Sequence, residues 1–156
     1  MFGRPDRVVM ATRVEAPTDS SPSLGSAGTT THWTIGADAA DPQRLSAFWA
    51  RALGYVPGPG YDSEDDASLI DPGGVLPAIG FLRVPEGKTA KNRVHLDIRV
   101  AAGQDVDGGV REQWIRAKAA ELVEAGATHV REESYGGPHL GHIVMLDPEG
   151  DEFCVA

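Results

Sequence analysis

Two stretches of this chain run through the same order of signals. A helix-like run ending in Ala52-Leu53-Gly54-Tyr55 is followed by Leu69-Ile70-Asp71-Pro72-Gly73-Gly74 and the apolar segment Leu76 to Val84. A second such run ends in Glu124-Ala125-Gly126-Ala127, and after it come Val144-Met145-Leu146-Asp147-Pro148-Glu149-Gly150 and the apolar segment Phe153 to Ala156. Gly anchors and Asp-Pro turns that recur at nearly constant offset are the mark of an internal duplication. A chain of 156 residues buries one ordinary core and not two, so the copies must share it. Two strand, helix and hairpin units around one core curl into a cup, and a cup is a binding site.

The periodicity becomes legible from His32. Trp33, Ile35 and Ala37 alternate with His32, Thr34, Gly36 and Asp38, as in a half-buried strand. Asp41-Pro42 supplies an N-cap and a first-turn proline, and Leu45, Phe48, Trp49, Ala52 and Leu53 keep helical spacing until Gly54. Tyr55 to Gly58, Ala67 to Ile70 and Pro77 to Val84 read as short strands, separated by the acidic loop Asp62 to Asp66 and the Asp71-Pro72-Gly73-Gly74 turn. The second unit opens on Val94, Leu96, Ile98 and Val100 alternating with Arg93, His95, Asp97 and Arg99. One face of that strand packs on a helix, and the polar face is a candidate binding face. Val110, Trp114, Ile115, Ala119, Leu122 and Val123 form a helical stripe closed by Gly126, and strands follow near Thr128 to Glu132, His142 to Leu146 and Glu152 to Val155. Trp33, Trp49 and Trp114 are placed in the core between helices and sheet.

Residues 1–31 read differently. From Glu15 to Thr31 the Ser, Thr, Gly and Pro content offers little to bury against the entropy of ordering, so this stretch is expected to be a disordered tail. The domain is placed at 32–156, with modules at about 32–86 and 92–156. A formal charge of −9 without a Lys/Arg cluster disfavours nucleic acid as a partner. Cys154 stands alone, which excludes an intrachain disulfide and points to the cytoplasm. No apolar run approaches the roughly 20 residues that span a bilayer, so no membrane partner is expected.

The run Asp41-Pro42 to Leu53-Gly54, the segment Asn92-Arg93-Val94-His95-Leu96-Asp97 and the ending Asp147-Pro148-Glu149-Gly150-Asp151-Glu152-Phe153-Cys154 together resemble the glyoxalase-like branch of the vicinal oxygen chelate superfamily, which includes bleomycin-resistance and dioxygenase domains. The resemblance covers roughly Trp33 to Ala156. It implies an α+β fold of two βαβββ modules whose mixed sheets curl around a shared cavity, with the helices on the convex side. In metal-dependent members the ligands project from the first and last strands of each module. Carried onto this sequence, those positions are Thr34, His95, Cys154 and a place within Gly80 to Leu82, of which only His95 is a usual ligand. A register shifted by two residues gives His32, His95 and Glu152, the alternative set for a divalent metal.

The candidates for substrate contact are therefore Thr34, His95, Asp97, Arg99, Glu152 and Cys154. His95 and Asp97 read either as a general base with its orienting carboxylate or as a ligand-anchoring pair. Arg99 reads as a clamp for a substrate carboxylate or as half of a rim salt bridge. Cys154 is expected to be a small buried residue lining the cup, and the segment Tyr135 to His142 is either a flap carrying His139 or a plain hairpin loop. The expected function is binding of a small organic molecule without a complete metal site, and catalysis is left undecided. The alternatives are a divalent-metal lyase, isomerase or dioxygenase centred on His95, and a non-catalytic interaction module. Pairing of two chains as a homodimer is left open.

Overall fold

The computed structural model describes residues 32–61 and 63–156, so the expectation for residues 1–31 falls outside the described residues. The elements are β1 (Ile35–Ala39), α1 (Pro42–Leu53), β2 (Val56–Pro57), β3 (Asp66–Ile70), β4 (Ile79–Arg83), β5 (Asp97–Ile98), α2 (Gly108–Glu124), β6 (Thr128–Glu133), β7 (His142–Leu146) and β8 (Glu152–Val155).

The duplication is visible in the pairing. One four-stranded sheet has the order β1-β4-β3-β2 and the other β5-β8-β7-β6. In each, the first strand pairs in parallel with the last, and the remaining pairs are antiparallel. This is an α+β fold of two mixed sheets and two helices, in the order βαβββ twice.

Local chemistry repeats with the topology. Asp41 caps α1 by accepting from the backbone N–H of Arg44 at 3.0 Å, and Asp107 caps α2 by accepting from Gly109 at 2.8 Å. Gly54 ends α1 with φ of 73°, a conformation that costs a residue with a Cβ. In the first Asp-Pro turn, Asp71 accepts from the N–H groups of Gly73 and Val75, both at 2.9 Å. In the second, Asp147 accepts from Glu149 at 2.9 Å and Asp151 at 3.0 Å, the same two offsets.

One core serves both modules. Phe48 and Trp49 of α1 meet Phe153 of β8 edge-on, with ring centroids 5.8 and 5.2 Å apart, and Ile115, Leu122 and Met145 belong to the same cluster. The Trp49 indole N–H donates to Asp147 at 3.2 Å, and both Glu149 oxygens accept from the start of α1, from Ala40 N at 2.7 Å and Asp41 N at 2.8 Å. The second module's turn thus closes the first module's helix.

Four expectations need correction. Trp33 is exposed, because it lies ahead of the sheet, whose first ladder bond among the described residues is made by Ile35. Trp114 is only half-buried, on an open groove of about 430 Å³ that it shares with Ile98 and Val100. Val110 and Val123 are exposed, since the buried stripe of α2 is the narrower Ile115, Ala119 and Leu122. The alternation around His95 forms regular strand only at Asp97 and Ile98, and Val94 is exposed although ladder bonds continue from Leu96 to Val100.

Candidate functional site

The second sheet has a face turned toward the core and a face free of helix. Ile143, Met145, Phe153 and Val155 belong to the core cluster, so their alternating neighbours His142, Val144, Glu152 and Cys154 point the other way. Register carries this face across all the strands. Asp97 lies beside Cys154, Cys154 beside Val144, and Val144 beside Arg131, while Glu133 lies beside His142.

A chain of polar groups crosses the face. The His95 Nε2 is 3.9 Å from Glu152 Oε2, and Arg131 Nη1 is 3.9 Å from Glu152 Oε1. Arg131 Nε also donates to Glu133 at 2.6 Å, which holds the Glu133 carboxyl below the usual carboxylate range. Glu133 Oε2 in turn faces His142 Nε2 at 3.4 Å. Two imidazoles are thus joined through alternating carboxylates and a guanidinium.

The linker between the modules roofs one end of this face. Lys88 pairs with Asp151 at 3.1 Å and Lys91 with Glu152 Oε2 at 3.4 Å. Between linker residues Lys88 to Lys91 and the strand residues Leu146 and Glu152 lies an open hollow of about 360 Å³. The Glu152 side chain is 14% exposed, and its Oε2 accepts no hydrogen bond from the described residues. His142 Nδ1 is the other buried side-chain polar atom in that condition. An unmet buried polar atom costs about 1–3 kcal/mol, a cost that a water or a ligand group removes by supplying the hydrogen bond.

The sequence candidates divide into those on this face and those elsewhere. His95, two residues ahead of β5, Asp97 of β5, and Glu152 and Cys154 of β8 come together. His95 pairs across strands with Glu152, whereas Asp97 faces Cys154; burial first, and then that carboxylate, pushes the thiol up to about 11. The shift favours the neutral thiol form of Cys154 at neutral pH. Arg99 is exposed and makes no ion pair among the described residues. Thr34 and His32 are exposed ahead of β1 in the other sheet, and neither is bonded to His95, Glu152 or Cys154. His139 sits on the start of α2, its Nδ1 3.7 Å from Glu112 and its ring where a Cβ on Gly108 would come within 2.6 Å.

Lys91, Arg131, Glu133 and His142 were not among the sequence candidates. Parity alone would have found His142, two residues before Val144 on a regular strand.

A divalent metal, which the fold family implies, does not fit the donors present. Gly80 and Leu82 bring no ligand atom, Thr34 is a poor donor, and Cys154 stands where metal-dependent relatives are expected to carry a carboxylate. His95 and Glu152 remain, with the Lys91 ammonium already on the carboxylate. Among the described residues no three His, Cys, Asp or Glu side chains converge.

A family model described as a glyoxalase-like domain matches residues 34–156. No curated protein matches the sequence. Among solved structures, a glyoxalase/bleomycin resistance protein/dioxygenase family enzyme from Burkholderia phytofirmans PsJN is 20% identical, with TM-score 0.59 over 78% of this chain and 94% of that one. A possible glyoxalase from Bacillus cereus is 14% identical, with TM-score 0.58 over 81% and 98%. A mutant of the fosfomycin resistance protein FosX from Listeria monocytogenes, complexed with Mn(II) and 1S,2S-dihydroxypropylphosphonic acid, is 9% identical, with TM-score 0.58 over 81% and 90%. At these identities the likeness is one of fold.

Proposed function

Since the chain belongs to the glyoxalase-like domain family, we propose that it binds a small organic molecule in the open hollow between the linker and Glu152. The observation that carries this reading is the buried Glu152 Oε2, which has the Lys91 ammonium beside it at 3.4 Å but no hydrogen bond among the described residues, at the wall of an open hollow of about 360 Å³. A volume of that order suits a metabolite-sized ligand. A hydroxyl or amine N–H satisfies Glu152, and a carbonyl or carboxylate oxygen meets the Lys91 ammonium.

The contact between His95 and Glu152 favours a second reading, catalysis of proton transfer. In it, His95 takes a proton from a carbon beside the ligand's carbonyl, Glu152 steadies the resulting imidazolium, and Lys91 faces the enolate oxygen. No step requires a metal held by this chain.

The test is a thermal-shift screen of hydroxy acids, amino acids and antibiotics, run with and without chelator. A ligand at 100 times its Kd stabilises by about 2.7 kcal/mol. The shift should survive chelator and disappear in Glu152→Gln. A hit that requires added metal, or one indifferent to Glu152→Gln, would sink the reading.

A further inference from the structure

Two cations and an imidazole crowd the one carboxylate at the wall of the hollow. Glu152 Oε2 has Lys91 Nζ at 3.4 Å and His95 Nε2 at 3.9 Å, and Glu152 Oε1 has Arg131 Nη1 at 3.9 Å. Oε2 nevertheless accepts no hydrogen bond from the described residues. Lys91 and Glu152 are thus near enough to attract one another without being aligned to bond, and Lys91 has no other ion pair among the described residues. Lys88 beside it is engaged, with Asp151 at 3.1 Å and the Ala90 carbonyl at 2.6 Å.

An unaligned ion pair is bridged by a molecule that brings a donor for the carboxylate and an acceptor for the ammonium. The donor and acceptor must be neighbours, because the two protein groups are. A hydroxyl on the carbon next to a carboxylate meets that condition, and so does an amino group. Charge separates the two. Lys91 and Arg131 already stand at 3.4 and 3.9 Å from Glu152, so the ammonium of an amino acid would bring a third cation to one carboxylate, whereas a hydroxyl donates without charge. On the acceptor side, a carboxylate oxygen bonds the Lys91 ammonium more strongly than a neutral carbonyl does. Thr89, Ala90, Leu146 and Gly150 complete the lining, which suits a short alkyl group.

We propose, resting on the reading of the hollow as the binding site, that its ligand is an aliphatic 2-hydroxycarboxylate. The hydroxyl donates to Glu152 Oε2, and the carboxylate accepts from Lys91.

Three compounds with one carbon skeleton test this: 2-hydroxy-4-methylpentanoate, leucine and 4-methylpentanoate, which carry a hydroxyl, an ammonium or a hydrogen beside the carboxylate. Their affinities for the full chain are measured by isothermal titration calorimetry, the first two as racemates. The hydroxy acid should bind saturably, and each of the others should bind about 10-fold more weakly or worse, the worth of one hydrogen bond. Lys91→Met, at an exposed position, should weaken the hydroxy acid by a similar factor. Equal affinity for the three compounds, tighter binding of leucine, or indifference to Lys91→Met would overturn the ligand class. So would the absence of hydroxy-acid binding up to about 10 mM. If the thermal-shift screen then yields another ligand that Glu152→Gln abolishes, the hollow stands as the site and only the class falls; if it yields none, both fall.

Discussion

The indole N–H of Trp49 donates to the Asp147 carboxylate at 3.2 Å, across 98 residues of sequence and from one module to the other. Asp147 is buried, and burial pushes its carboxyl above the usual aspartate range despite the three hydrogen bonds it accepts. Trp49→Phe keeps a ring against Phe153 but strips a donor from that carboxylate. It should cost roughly 1–3 kcal/mol in chemical denaturation. A loss below about 0.5 kcal/mol would mean that water replaces the indole there.

Phe153 is fully buried at the meeting of both modules. Phe153→Ala should destabilise by about 3–5 kcal/mol, with one unfolding transition by circular dichroism and by tryptophan fluorescence alike. Two separated transitions would show that the core does not join the modules.

The Cys154 thiol, held up at about 11 by burial and by Asp97, should react slowly with iodoacetamide at neutral pH. Asp97→Asn removes the largest cause after burial and should bring the thiol pKa down and speed alkylation. An unchanged rate profile against pH would rule out Asp97 as a cause.

Asp71 titrates below its ordinary range, chiefly because the N–H groups of Leu76, Gly73 and Val75 donate to it. A depressed folded pKa gives stability that is present above the unfolded value, about 3.9, and is lost as pH falls through the folded value. Stability measured in urea should therefore decline on acidification below about pH 4, and decline less in Asp71→Asn. Parallel curves for the two proteins would refute the assignment.

The fold was legible wherever one residue could report its own environment. Asp41, Pro42 and Gly54 mark the ends of α1, and the strands read at His142 to Leu146 and Glu152 to Val155 are the strands found. The site was legible only in part, because parity names a face without naming neighbours. His95 was read with Asp97, two residues along its own strand, yet its contact is Glu152 on β8, which depends on register. Arg131 was harder still: a bulge between His129 and Arg131 shifts the pairing of β6, and no residue type there announces it. Lys91 belongs to a linker without period, so its place over Glu152 follows from the chain's path and not from a pattern.

The two hydrogen bonds from Ala40 and Asp41 to Glu149 bear on how this chain can be divided. At the matching place in the first Asp-Pro turn stands Gly73, which has no side chain to return the favour. The copies are therefore no longer interchangeable: the first borrows its helix start from the second, and the second lends without receiving. Cut in the linker, the leading fragment would be left with uncapped amides and half of an aromatic cluster, and would recover its shape only on meeting the trailing one.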